Sequence, residues 1–192
     1  MKKLNETVKK LNLGCGEDYR VGWVNLDFNK EVKADVYHNL EKFPYPFKDD
    51  EFDLIYIDNA LEHVQNVLKC IEELWRISKK GAEIIIYVPH FTGIYATKHL
   101  AHYHQFGIGT FDIYKKISGL DKGFNGERYG KARFEIIEQK LLYFHHNSVE
   151  ISLLSKLPIN RMFNFSRKWQ LILEKFFPLK FDEIRYKLKV LK

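Results

Sequence analysis

The sequence predicts a single α/β domain built on a mostly parallel, doubly wound sheet. Short apolar runs of strand length alternate with helical patterns, no linker or repeat divides the chain, and the first run ends in two closely spaced glycines. A strand, helix, strand unit calls for a right-handed crossover between parallel strands, which leads to helices on both faces of the sheet.

Five runs come early: Val8 to Leu13, Trp23 to Leu26, Ala34 to Tyr37, Phe52 to Ile57 and Ala82 to Val88. Between the fourth and fifth, Val64, Val67, Leu68, Ile71, Leu74 and Trp75 recur at steps of three and four, the spacing of an amphipathic helix. Lys79 and Lys80 suit its negative C-terminal end, and Gly81 suits the left-handed stop. From His90 to Tyr114 the pattern gives way to a His- and aromatic-rich stretch, then to a loop with Gly119, Gly123, Gly126 and Gly130. Loops this long usually carry function. Phe134 to Phe144 reads as a strand. A helix from about Asn160 to Phe177 follows, with Met162, Phe165, Trp169, Ile172, Leu173 and Phe176 on one face and Pro178 closing it. Glu183 to Leu191 alternates like a half-buried strand.

Composition narrows the class. With 45% hydrophobic and 29% charged residues in 192, one folded domain over 1–192 is expected. The basic start Met1-Lys2-Lys3 has no apolar stretch behind it, so no secretory signal is expected, and no apolar run is long enough to span a membrane. Two cysteines, Cys15 and Cys70, without metal-ligand spacing fit a reducing cytoplasm. Segment 156–192 holds ten basic and three acidic residues, so the excess charge of +6 belongs to the C-terminal fifth. Such a segment meets nucleic acid, an anionic membrane or a phosphorylated substrate, or is a solvated face.

The candidate site begins at Leu13-Gly14-Cys15-Gly16, where paired glycines let the backbone turn sharply and approach a ligand at the carboxyl edge of the sheet. The next run, Trp23-Val24-Asn25-Leu26-Asp27, ends in an acid placed to accept hydrogen bonds from both hydroxyls of a ribose.

The ordered set Leu13-Gly14-Cys15-Gly16, Asn25-Leu26-Asp27, Asn39-Leu40 before Pro44, Phe52-Asp53-Leu54-Ile55, Leu61-Glu62-His63-Val64 and Lys80-Gly81 before Pro89 resembles the class I S-adenosylmethionine-dependent methyltransferases. The resemblance covers Leu11 to Pro89. It implies a Rossmann-like seven-stranded sheet with the last strand antiparallel, and S-adenosylmethionine as cofactor. It also implies that Gly14, Cys15 and Gly16, with Leu13, pass the methionine part, that Asp27 holds the ribose, that Asn39 and Leu40 meet the adenine, and that Asn59 touches the cofactor after the fourth strand. Two departures are visible. Asn12 and Asp18 stand where the family often has an acid and a third glycine, and only ten residues separate Gly16 from Asp27. The first crossover helix should therefore shrink to about a turn, leaving the pocket open on one side for the aromatic segment after Pro89 to close. A nicotinamide dinucleotide fits less well, because it needs the third glycine and about twenty residues before the acid.

Methyl transfer to a hydroxyl needs the acceptor aligned and its proton removed, a task suited to histidine. His63 and His90 follow the fourth and fifth strands and are the catalytic candidates. Segment 90–133 is read as the acceptor-side insertion, with Tyr95, His99, His102, His104 and Phe106 as a polar, aromatic acceptor pocket. His99 and His102 stand three apart and can share a helix face, but no familiar ligand signature accompanies them, so no metal is expected. The Asn/Asp-Pro-Pro-aromatic motif of base-methylating relatives is missing after the fourth strand, which disfavours nucleic acid and leaves a small-molecule acceptor, a sugar or other metabolite, with O-methylation ahead of N-methylation. A nucleic-acid or protein methyltransferase and a catalytically silent nucleotide-binding module are the alternatives. The basic C-terminal helix and strand of 156–192 offer either a lid over the acceptor pocket, the favoured reading, or a peripheral membrane contact.

Overall fold

The computed structural model describes residues 8–115, 130–143, 159–176 and 180–192. Seven strands form one sheet: β1 (Lys10–Leu13), β2 (Val24–Asp27), β3 (Val36–Tyr37), β4 (Phe52–Asp58), β5 (Ser78–Pro89), β6 (Phe134–Leu142) and β7 (Glu183–Val190), in the order β3-β2-β1-β4-β5-β7-β6. The first five pair in parallel, and β7 lies antiparallel between β5 and β6. The order reverses at β1, whose neighbours are β2 and β4, and the carboxyl edge there is where such sheets bind ligands. Leu11, Leu13, Ile55, Ile57, Ile84 and Ile86 of the central strands have no exposed surface and anchor the core.

Among the described residues, α1 (Val67–Ile77) is the helix that carries the crossover from β4 to β5, and it buries Cys70, Ile71, Leu74 and Ile77. It starts three residues later than the apolar spacing suggests. Asn66 caps it by accepting from the Lys69 N–H at 3.1 Å, and Leu61–His63 instead form a 3-10 turn. The helix stop also differs from expectation. Gly81 has the predicted left-handed backbone, with φ of 80°, but it lies within β5 rather than after α1, where Ser78 already takes extended geometry. Phe52 faces Ser78 while Leu54 faces Glu83, so β5 carries extra residues between these pairs and Gly81 allows the bulge. Lys79 belongs to that strand too, and its ammonium meets Asp53 at 2.9 Å.

The C-terminal helix is two helices, α3 (Ile159–Phe163) and α4 (Arg167–Phe176), after the short α2 (Ile94–Lys98) earlier in the chain. Asn164 interrupts the pattern because its side chain accepts from the Leu141 N–H at 2.8 Å and donates to the Leu141 carbonyl at 2.9 Å, acting as a strand partner to β6. Ser166 then accepts from the Trp169 N–H and restarts the helix. Of the expected apolar face only Leu173 is buried, while Met162, Phe165 and Phe176 are 65%, 85% and 68% exposed. Pro178, like Gly119, Gly123 and Gly126, lies outside the described residues.

Asp53 gives a test of the bulge. Partial burial works to raise its carboxyl, but the Lys9 N–H at 2.8 Å and the Lys79 ammonium outweigh that and hold it below 3.8. A lowered folded value means stability that is present above the unfolded value and lost as pH falls through the folded one. Asp53→Asn should therefore lower the melting temperature near pH 7 by about 2 to 4 °C, for roughly 1 kcal/mol lost, and the gap to the wild type should close towards pH 2. Thermal unfolding followed by circular dichroism across that range measures it.

Candidate functional site

A cavity of about 610 Å³ opens at the carboxyl ends of β1, β2 and β4, a size suited to a nucleotide-like ligand. At the end of β1 the chain enters the left-handed region twice, at Gly14 (φ 67°) and Gly16 (φ 48°). The N–H groups of Gly14 and Cys15 both donate to the Leu26 carbonyl, at 2.8 and 3.0 Å, which pins the turn against β2. Gly14 also lacks room: a Cβ there would stand 2.7 Å from the Cβ of Ala60. No helix follows. The chain returns to β2 through turns, as the ten-residue spacing requires.

Asp27 closes β2 and is 8% exposed. Its Oδ2 accepts from the Gly16 N–H and its Oδ1 from the Asn29 N–H, each at 2.8 Å. A carboxylate has about four lone-pair directions, so both oxygens keep capacity towards the cavity. Asn39 and Leu40, just past β3, form the next part of the wall, and the Asn39 side chain accepts from the Glu41 N–H to hold that turn. Asn59, directly after β4, takes the left-handed conformation with φ of 47° and donates through its side chain to Asp58 and Glu183, both at 2.9 Å.

The far rim comes from the segment after β5. His99, Ala101 and Tyr103 line the cavity, and their strand of chain is tied down by Tyr103 N–H donating to the Glu62 carbonyl at 2.8 Å and by His104 Nε2 at 3.0 Å from the Gln65 carbonyl. His63 lines the cavity beside them, with its Nδ1 at 3.2 Å from the Ala101 carbonyl. Burial and then the neighbouring His102 lower the pKa of His63, so its ring is neutral near pH 7. Beside it, burial pushes the carboxyl of Glu62 up to about 8, with Asp58 and Glu183 adding to the rise.

The residues expected from sequence divide clearly. Gly14, Gly16, Asp27, Asn39, Leu40, Asn59 and His63 line one cavity, as does His99 from the expected acceptor pocket. Leu13 and Cys15 do not: Leu13 is a core residue with no exposure, and burial, helped by Asp27, pushes the Cys15 thiol up to about 11. His90 is also away from the cavity. It is wholly buried, with Nδ1 at 2.7 Å from the Thr92 hydroxyl and Nε2 at 2.8 Å from Glu174, so both ring nitrogens are engaged in tying β5 to α4. Tyr95, His102, His104 and Phe106 are not in the lining, and among the described residues neither is any of α3 or α4. Sequence reasoning missed Phe28, Glu41, Val64 and Gln65, each next to a residue it named, and Ala101 and Tyr103, for which no local signal exists.

The open α/β sheet in this strand order, with a cavity at the switch point and an acid after β2, is a fold shared with solved S-adenosylmethionine-dependent methyltransferases. Residues 11–86 match the family model described as a methyltransferase domain. An uncharacterised protein of Methanocaldococcus jannaschii is 51% identical over 78 residues, which is 41% of this chain and 37% of that protein. Among solved structures, an S-adenosylmethionine-dependent methyltransferase from Archaeoglobus fulgidus is similar with a TM-score of 0.55 and 16% identity, over 95% of this chain and 86% of that one. One from Mesorhizobium loti has a TM-score of 0.52 and 15% identity, over 95% and 90%. The alignments cover less than two-fifths of the curated relatives' lengths, 37% and 39%.

The glycine turn is testable by its two different constraints. Gly14→Ala meets both a left-handed backbone and the Ala60 side chain, whereas the space around Gly16 is open and only its backbone opposes a side chain. Gly16→Ala should cost about 1 kcal/mol and Gly14→Ala roughly 2 kcal/mol or more. Denaturant unfolding of the two variants should rank them in that order; an equal loss would contradict the close approach to Ala60.

Proposed function

We propose that the chain is an S-adenosylmethionine-dependent methyltransferase acting on a small-molecule acceptor. The observation that carries the reading is the Asp27 carboxylate, pre-set by two backbone N–H groups beside the Gly14 to Gly16 turn and facing the cavity. In this reading Asp27 accepts the ribose hydroxyls, the glycine turn passes the methionine part, and Asn39 and Leu40 meet the adenine with Phe28, 71% exposed, available to stack on it. Asn59 faces the junction of nucleoside and methionine. The sulfonium methyl then points to the side of the cavity walled by His63, His99 and Tyr103, where an acceptor is aligned for in-line displacement. His63 contributes to acceptor turnover, whereas His90 supports the site only by joining β5 to α4. A sugar or similar hydroxylated metabolite suits this polar rim, with O-methylation ahead of N-methylation. The two buried, unpaired cysteines suit a reducing cytoplasm.

Calorimetry and thermal shift test this directly. S-adenosylmethionine and its demethylated product should bind and NAD should not; at a hundredfold excess over the dissociation constant, binding adds about 2.7 kcal/mol, roughly 5 to 10 °C at this size. Asp27→Ala should weaken binding by about 1.5 to 3 kcal/mol. His63→Ala should keep cofactor affinity and lose roughly 10²-fold in turnover of an acceptor found by radiolabelled cofactor screening. A shift with NAD alone would end the assignment.

The outward face of α4 supports a second feature, peripheral contact with an anionic membrane. Trp169 and Phe176 are 36% and 68% exposed beside the exposed basic residues Lys168 and Lys175, and no helix among the described residues is long and apolar enough to cross a membrane. Co-sedimentation with phosphatidylserine vesicles should be strong at low salt and weaker at physiological salt, with Trp169 protected from an aqueous quencher only when vesicles are present. Absence of binding even at low salt would remove this contact.

A further inference from the structure

Three imidazoles converge where His63 and His99 line the cavity, with His102 beside them. His63 comes from the 3-10 turn after β4, His99 follows α2 directly, and His102 sits in the loop beyond it. One nitrogen from each lies within 4.8 Å of the others. The ring centroids of His63 are 4.6 Å from His102 and 5.4 Å from His99, and those of His99 and His102 are 5.3 Å apart.

Two details give this cluster a direction. His63 Nδ1 faces the Ala101 carbonyl, so that nitrogen carries the proton and the Nε2 lone pair is available. Metal-bound histidines are oriented in this way, by donating their other N–H to a carbonyl. His102 Nδ1 is buried with no hydrogen-bond partner among the described residues, which is costly for a polar atom unless a further group engages it.

The geometry points to a divalent transition-metal site formed by His63, His99 and His102, with zinc as the best match and an open fourth position towards the cavity. Imidazole nitrogens suit zinc, copper or nickel, whereas magnesium and calcium select oxygen ligands. Three protein ligands with one open place is the arrangement of a site that takes a substrate oxygen rather than a purely structural one. Tetrahedral zinc sets ligand nitrogens about 3.3 Å apart, so side-chain rotation must bring these three inward from within 4.8 Å. The rim allows it, since His63 and His99 are exposed. A bound metal would hold an acceptor hydroxyl and ease loss of its proton to solvent, and this consequence alone rests on the methyltransferase reading.

The sequence could not reveal the site, because His63 precedes the other two ligands by 36 residues or more and only the fold joins them. The test uses the whole chain stripped with EDTA and titrated with zinc by calorimetry, and with cobalt(II) by visible absorption. One equivalent per chain should bind, and cobalt should give the intense visible bands of a four-coordinate site. Loss of an outer partner of a metal ligand already weakens binding by about 10- to 100-fold, so His99→Ala and His102→Ala should each cost at least that much. His102→Gln, shown to be folded by its circular dichroism, guards against a loss caused by misfolding. No stoichiometric binding, or unchanged affinity in the folded single variants, would overturn the site. S-adenosylmethionine binding is measured on the same samples: zinc lost with the cofactor retained defeats the metal site alone, and zinc retained without cofactor binding defeats the methyltransferase reading alone.

Discussion

The buried side chain of Asn25 takes the place of a crossover helix between the first two strands. Its Oδ1 accepts from the Arg20 N–H at 2.8 Å and from the Asn12 side chain at 3.3 Å, and its Nδ2 donates to the Arg20 carbonyl and to Asp35. Asn12 in turn donates to the Asp18 carbonyl. A helix of ordinary length satisfies its own backbone, but ten residues between Gly16 and Asp27 cannot contain one and still return to the start of a parallel neighbour. Backbone groups left in such a loop need partners from elsewhere, because a buried unpaired one costs about 1 to 3 kcal/mol. Asn12 and Asn25, 1% and 0% exposed, supply them from the strands themselves.

This substitution of side chains for a helix determines the character of the cavity. The loop is drawn down onto β1 and β2, so the Gly16 N–H reaches the Asp27 carboxylate instead of opening a helix aimed at a phosphate. The carboxylate is thereby oriented before any ligand arrives, which reduces the ordering cost of binding. A sulfonium nucleoside has no pyrophosphate to be neutralised and loses nothing by the missing helix N-terminus, whereas a dinucleotide would. The chain from His99 to Tyr103 supplies another part of the wall, held by the backbone bond from Tyr103 to Glu62 and by the contact of His63 with Ala101.

What was legible in the chain follows from how local each cause is. The strands declare themselves through apolar runs, and the residues at their carboxyl ends share an edge by topology alone, which is why Gly14, Asp27, Asn39, Asn59 and His63 meet although they are far apart in sequence. Gly81 was legible as a left-handed residue, but whether it stops a helix or bends a strand depends on the register against β4. The helical spacing from Met162 to Phe176 runs unbroken through Asn164, and only the contact with Leu141 in β6 interrupts it. His90 follows a strand just as His63 does. Its burial is decided by Glu174 in α4, and no pattern near His90 announces that partner.

The basic C-terminal fifth shows the same distinction between composition and placement. Among its described basic residues, Arg185 pairs with Glu138, Lys187 with Glu83, Lys189 with Glu135, Lys192 with Asp50 and Arg167 with Asp112. Each pair is partly exposed and contributes little, in the range of about 0.2 to 1 kcal/mol, yet together they use the charge to match neighbouring elements and to pair strands in the sheet. A nucleic-acid surface needs basic groups turned to solvent along a groove, which β7 does not provide because its cations lie against acids of β5 and β6. Lys168 and Lys175 are placed differently, on the exposed face of α4 among Trp169, Ile172 and Phe176. The basic residues of β7 thus act on the fold by pairing strands, while those of α4 stand among exposed aromatic and aliphatic side chains and leave their charge to solvent.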